Sequence, residues 1–313
     1  MQRNKDLDYI RGILMICVIV IHIKKFGTTY PEAKSIVEAL TMPAFLLVSG
    51  YLVNIEKTTG QFLRYLWRLL LPYVVMSVAY AGVASVVPVG GELYTFTPLA
   101  IADTLLLHPI GPYWFLHALL VGGCLYYLVW RLVARRGDAM TRMAWLCVLL
   151  AVAAWALDAL PLKMTLYYFA GAALRSSGIA FNRAVVPSAI AGVAVAAIVS
   201  MPAARDWGLL STGVAVVMLL SFCRWLHQRM GTSRTDALLC WIGLNTLPIY
   251  LFHPVFTMAA RYAEPLFAFD STSLLFSLFT IVLCLAGSVV IGWIADRLHL
   301  SALFGRPQML TTY

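Results

Sequence analysis

Residues 7–26 read LDYIRGILMICVIVIHIKKF, and this stretch decides the fold. About 20 apolar residues are needed to cross a hydrocarbon core roughly 30 Å thick as a helix. The run is apolar except for Asp8, Arg11, His22 and the closing Lys24-Lys25 pair. It has no small-residue cleavage site and runs straight into the lysines, so it reads as a retained span and not a secretory leader. Outward from it lie nine further apolar runs, at 36–54, 65–87, 109–133, 143–160, 164–181, 184–202, 207–226, 237–261 and 273–295. The predicted fold is all-α, a polytopic transmembrane helical bundle of about ten spans, with residues 1–313 forming one integral-membrane domain. No internal repeat and no appended soluble domain is expected. Leu99–Leu107, ahead of the fourth span, reads as a re-entrant or interfacial piece, and Arg175-Ser176-Ser177-Gly178 interrupts the sixth span.

Composition agrees. Of the 313 residues 61% are hydrophobic and 12% charged, where a soluble domain carries about 25% charged residues. The net charge of +9 does not indicate nucleic acid, because the Lys and Arg residues sit in short loops between apolar runs and form no contiguous basic face. Such loops encode topology. With both termini placed in the cytoplasm, all of the 23 Lys and Arg residues fall inside except Lys24, Lys25, Lys34, Lys163, Arg205 and Arg261. The six cysteines (Cys17, Cys124, Cys147, Cys223, Cys240 and Cys284) are scattered singly through apolar stretches. They suggest small packing residues, with no disulfide framework and no metal site.

Ionisable groups inside a span are expensive and point to function. On a helix the eleven residues from Arg11 to His22 turn through about 1100°, which brings both to one face about 16 Å apart. A guanidinium at the inner mouth grips phosphate, and an imidazole further along the same face can take a proton from a hydroxyl near neutral pH. That arrangement suits coenzyme A, with its phosphorylated head and long thioester-bearing arm. Spacing alone serves equally well for a snorkelling arginine and a histidine bonded to a neighbouring helix.

Asp8-Tyr9-Ile10-Arg11-Gly12 followed by His22 resembles the opening of the acyltransferase-3 family of bacterial membrane acyltransferases, with its Arg/Lys-x10-His motif. Further segments resemble that family in the same order: Pro43 to Leu52 with its Ser49-Gly50-Tyr51, Arg64 to Arg68 leading to Pro72-Tyr73, Gly111 to Leu116 with Tyr113-Trp114-Phe115, and Tyr250-Leu251-Phe252-His253-Pro254. The resemblance implies O-acylation, usually O-acetylation, of a carbohydrate or cell-surface glycan by acyl-CoA (acetyl-CoA) at the bacterial cytoplasmic (inner) membrane. It implies His22 as catalytic base and Arg11 as an acyl-CoA contact. The chain departs from some relatives in lacking an esterase-like domain and in having thin outer loops.

Arg64 and Arg68, like Arg131, Arg135 and Arg136, are candidates to hold CoA phosphates, although topology and anionic lipid headgroups also account for them. His117, Tyr113 and Trp114 are candidates to line the cavity, with a histidine bonded between helices as the plainer reading of His117. Tyr250 and His253 are further candidates, His253 because Pro254 frees a carbonyl in that helix. Glu38 and Asp103 are candidates to orient His22, since a base needs a group that fixes its tautomer. Ser49 as a nucleophile would indicate an intramembrane hydrolase, but Ser-Gly more simply marks a close helix crossing. His108 and His299 read as interfacial, and His227 as part of a basic inner loop. The competing function is a transporter or flippase for an anionic or glycolipid solute, with Arg11 and His22 binding the solute or relaying protons. No resident metal is expected. The partners expected are membrane lipid and the glycan acceptor.

Overall fold

The computed structural model describes residues 4–53, 58–88, 93–133, 137–157, 160–201, 207–231 and 233–311. Arg3, Lys57, Arg135, Arg136 and Arg205, used above for orientation, lie outside the described residues. Among the described residues the secondary structure is helical throughout, with no strand. The described α-helices are α1 (Lys5–His22), α2 (Lys24–Thr29), α3 (Pro31–Leu52), α4 (Thr59–Ala84), α5 (Pro98–Leu106), α6 (Trp114–Leu128), α7 (Ala139–Ala156), α8 (Leu162–Ser176), α9 (Phe181–Ala184), α10 (Ala189–Ser200), α11 (Leu209–Met230), α12 (Arg234–Leu244), α13 (Thr246–Ala260) and α14 (Leu274–Arg297).

Each of the ten apolar runs contains helix, and among the described residues six helices are long and apolar enough to cross a membrane: α3, α4, the helix over Gly111–Leu132, α7, α11 and α14. A seventh is counted if α12 and α13 make one broken span. The other runs differ from expectation for local reasons. In α1, Lys5, Asp6, Asp8 and Arg11 crowd the first two turns. The run at 164–181 stops at Ser176, where Gly178 takes φ +72, a conformation that suits a residue without Cβ. The run at 184–202 yields only the 12 residues of α10. Finally, 237–261 is no straight span, since α12 and α13 meet at 87°. Asn245 makes that corner: its Nδ2 donates to the Trp241 and Thr311 carbonyls, and its Oδ1 accepts from Thr311 N–H. Leu99–Leu107 is largely the separate short helix α5.

The described chain falls into two compact units, one comprising Met1–Val48, Ile179–Leu298 and Gln308–Tyr313, the other Ser49–Gly178 and His299–Pro307. In the first unit α1 is the central element, packed against α11, α12, α13 and α14. Its buried residues, from Leu7 through Ile10, Leu14 and Val18 to Ile21, surround the helix on most sides. A helix buried this fully belongs to the interior and not to a lipid-facing wall. Gly12 and Gly243 let the backbones of α1 and α12 touch: a Cβ on Gly12 would lie 2.9 Å from the Leu239 carbonyl carbon, and one on Gly243 2.6 Å from that of Asp8.

The inner end of α1 is tied down by charge. Asp6 accepts from Arg224 Nε and Nη2, each at 2.8 Å. Arg224 Nη1 donates to the carbonyls of Asn182 and Val185. His227 Nδ1 donates to Asp236 Oδ1 at 2.6 Å, and its Nε2 stands 3.7 Å from Asp6 Oδ1. Arg224 and His227 are therefore not loop residues that merely set topology. Both belong to α11, and Arg224 is buried. Cys240 joins His227 and Asp236 in a group whose ligand-type atoms lie within 4.8 Å of one another, a juxtaposition that sequence spacing did not signal.

In the second unit α3 ends against α8. A Cβ on Gly50 would lie 3.0 Å from the Tyr168 carbonyl carbon, the close crossing that Ser49-Gly50 suggests. A capping box of Thr58 and Gln61 starts α4, setting the exposed Arg64 and Arg68 on one helical face four residues apart.

Candidate active site

The chemistry concentrates where α1 ends. His22 is the last residue of α1, because Ile23 turns extended (φ −79, ψ 105) before α2 begins. The imidazole thus sits at a helix terminus and not midway along a continuous span. Its Nδ1 is 2.7 Å from the Val18 carbonyl oxygen. A carbonyl only accepts, so Nδ1 carries a proton, and in the neutral ring Nε2 presents its lone pair. The group that fixes the tautomer is therefore backbone, and of the two carboxylate candidates Asp103 is engaged elsewhere while the Glu38 charge reaches His22 without a hydrogen bond. Glu38 is exposed on α3. Asp103 bonds His108 Nδ1 at 2.9 Å in the other unit.

His253 packs against His22, ring centroids 5.0 Å apart and planes at 73°. This second imidazole is fully buried, and its placement follows from one residue. Pro254 has no N–H, so the Tyr250 carbonyl four residues back loses its helical donor. His253 Nδ1 takes that place, donating to Tyr250 O at 2.8 Å and lying 3.2 Å from Ile249 O. His253 Nε2 is then also a lone-pair nitrogen, buried and with no hydrogen-bond partner. The two imidazoles thus pack together, each oriented by its own helix. The buried Tyr250 ring lies 6.1 Å from His253. Sequence reading singled out both histidines, but their pairing is a long-range fact that no spacing encodes.

Arg11 lies on the same face of α1 as His22, towards the other end. It donates to Thr246 Oγ1 at the start of α13 and stands 4.0 Å from Asp8. Its side chain keeps 29% of its surface exposed, so the guanidinium has donors to spare for an anion. Thr246, which no motif indicated, is the residue that aims it.

The remaining candidates lie in the second unit. His117 Nε2 donates to the Leu106 carbonyl at 3.2 Å, and Tyr73 Oη donates to the Thr104 and Leu105 carbonyls, each at 3.1 Å. Together they satisfy the C-terminal carbonyls of α5, which makes His117 a histidine bonded between helices. Tyr113 is buried edge-on to Tyr80, and Trp114 is edge-on to Phe115. Ser49 is half-buried, and Arg64 and Arg68 are exposed.

An apolar bundle of long helices, with two packed imidazoles and a partly exposed guanidinium in its first unit, defines a multi-pass membrane protein. The chain matches the acyltransferase-3 family model, described as an acyltransferase domain, over residues 4–293, and it belongs to that family. No curated protein and no solved structure matches it significantly.

Proposed function

We propose that this protein is a membrane O-acyltransferase that moves an acyl group, most simply acetyl, from acyl-CoA to a hydroxyl of a sugar or cell-surface glycan. The setting we infer is a bacterial cytoplasmic membrane, crossed by several helices with both termini inside. The His22–His253 pair carries this reading: both Nε2 atoms are free to accept a proton, and Arg11 stands about 16 Å away along the same helix face.

Nε2 of His22 takes the proton of the acceptor hydroxyl while its oxygen bonds to the thioester carbonyl carbon. The tetrahedral intermediate then expels CoA as its thiolate, which takes the proton back from the imidazolium, leaving ester, free CoA-SH and neutral His22. His253 stabilises the imidazolium through its own lone pair, and its burial keeps water from competing for the thioester. Arg11 holds a phosphate of CoA. Ser49 as nucleophile draws no support from its surroundings.

Purified protein incubated with radiolabelled acetyl-CoA and a panel of glycans tests the reading. Acceptor-dependent label transfer with stoichiometric CoA release is expected. Solute transport without CoA turnover would overturn it in favour of a transporter.

A further inference from the structure

Beyond His22 the first unit opens into a cavity of about 470 Å³, within the range of roughly 300–1,000 Å³ that small-molecule sites occupy. Its walls continue the elements that carry the two imidazoles. The helix α2, which starts two residues after His22, supplies Lys25 and Thr29. From α13 the chain runs on into a 3-10 segment, Arg261–Phe267, which supplies Arg261, Glu264 and Phe267. Arg261 is eight residues beyond His253, about 12 Å of helix. The cavity therefore lies past the His22 end of α1, away from Arg11.

Its lining is mixed. Thr29 and Ser273 exchange a hydroxyl hydrogen bond at 3.1 Å, offering both donors and acceptors. Phe267 and Phe276, with ring centroids 5.7 Å apart, give apolar faces suited to the C–H faces of a sugar. Most charges are already engaged. Lys25 pairs with Glu264 at 3.1 Å. Asp270 accepts from Thr272 N–H, Thr272 Oγ1 and Leu275 N–H at the start of α14, and the Thr272 hydroxyl bond holds its carboxyl below the ordinary range. Arg261 is exposed and lines the cavity, and its side chain makes no ion pair or hydrogen bond to any described residue. A planar guanidinium left over in this way fits a carboxylate or phosphate.

We propose that this cavity is the acceptor site, and that the acceptor is a saccharide bearing an anionic group, carboxylate or phosphate, gripped by Arg261. The proposal rests on the acyltransferase reading and adds the side of approach and the charge of the acceptor.

The test is calorimetric binding to the purified full-length chain in neutral-lipid nanodiscs without acyl donor. The probes are a glucuronate-containing disaccharide, glucose 6-phosphate and uncharged cellobiose, with a parallel arm in phosphatidylglycerol nanodiscs. At least one charged saccharide should bind about 10-fold or more tightly than cellobiose, and Arg261→Gln should erase that preference. Glu264→Gln, which removes an exposed pair and frees Lys25, should tighten the same binding about 2- to 5-fold. Equal binding of charged and uncharged saccharides would overturn the proposal, as would a preference that survives Arg261→Gln. Arg261-dependent binding of phosphatidylglycerol with no saccharide binding would make this a lipid-headgroup site and overturn it too. If label transfer from acyl-CoA persists while saccharide binding ignores Arg261, the cavity assignment fails alone and the acyltransferase reading stands.

Discussion

Replacing Gly12 by alanine tests the packing that builds the site. The added Cβ would lie 2.9 Å from the Leu239 carbonyl carbon and 3.3 Å from Gly243 N, where ordinary contact begins near 3.4 Å. Both obstacles are helix backbone, so neither can swing aside. The helices α1 and α12 must separate by about half an ångström or more, and a gap of that size forfeits roughly a quarter of the dispersion well for the atoms it parts. Overpacking of this kind costs about 1–3 kcal/mol, and backbone-on-backbone contact places it at the upper end. We expect a loss of about 3 kcal/mol, read as a drop of roughly 5 °C or more in thermal inactivation of the detergent-solubilised protein. The same movement draws Thr246, three residues past Gly243, away from Arg11, so KM for acyl-CoA should rise as well. Gly243→Ala should act alike, and the double variant should lose less than the sum, because one separation relieves both clashes. Gly60→Ala is the control, since its Cβ meets nothing within 4 Å. If Gly12→Ala kept the wild-type inactivation temperature and KM, the close crossing would be wrong.

Other outcomes follow from single contacts. Pro254→Ala returns an N–H that competes for the Tyr250 carbonyl, so His253 loses its anchor; kcat should fall about 10- to 100-fold with KM for acyl-CoA unchanged, as steady-state kinetics would show. Asp6→Ala leaves Arg224 buried and uncompensated, at a cost of about 3–5 kcal/mol in thermal inactivation, and adding Arg224→Met should recover part of it. Arg11→Gln should raise KM for acyl-CoA by about tenfold or more while kcat changes little, because it removes a charged hydrogen bond to substrate and leaves the imidazoles in place.

The parts legible in the sequence were those with local causes. Apolar length located all ten helical runs, and the 11-residue spacing put Arg11 and His22 on one face because 3.6 residues per turn is a property of any helix. Pro254 signalled a freed carbonyl, and the structure shows His253 filling it. The corner at Asn245 was less legible, since its geometry depends on Thr311 at the far end of the chain. The end of α1 at His22 was hidden by the apolar Ile23, which continues the hydropathy but not the helix. The His22–His253 pairing, the burial of Arg224 against Asp6 and the aiming of Arg11 by Thr246 are tertiary contacts. Only packing, not periodicity, creates them.

The central claim is that His22 removes the acceptor proton, and single-turnover transfer of labelled acyl from acyl-CoA to glycan measures that step. With His22→Ala, transfer should fall by about 10²- to 10⁴-fold while equilibrium binding of acyl-CoA stays at the wild-type level. Transfer at the wild-type rate in that variant would contradict the account.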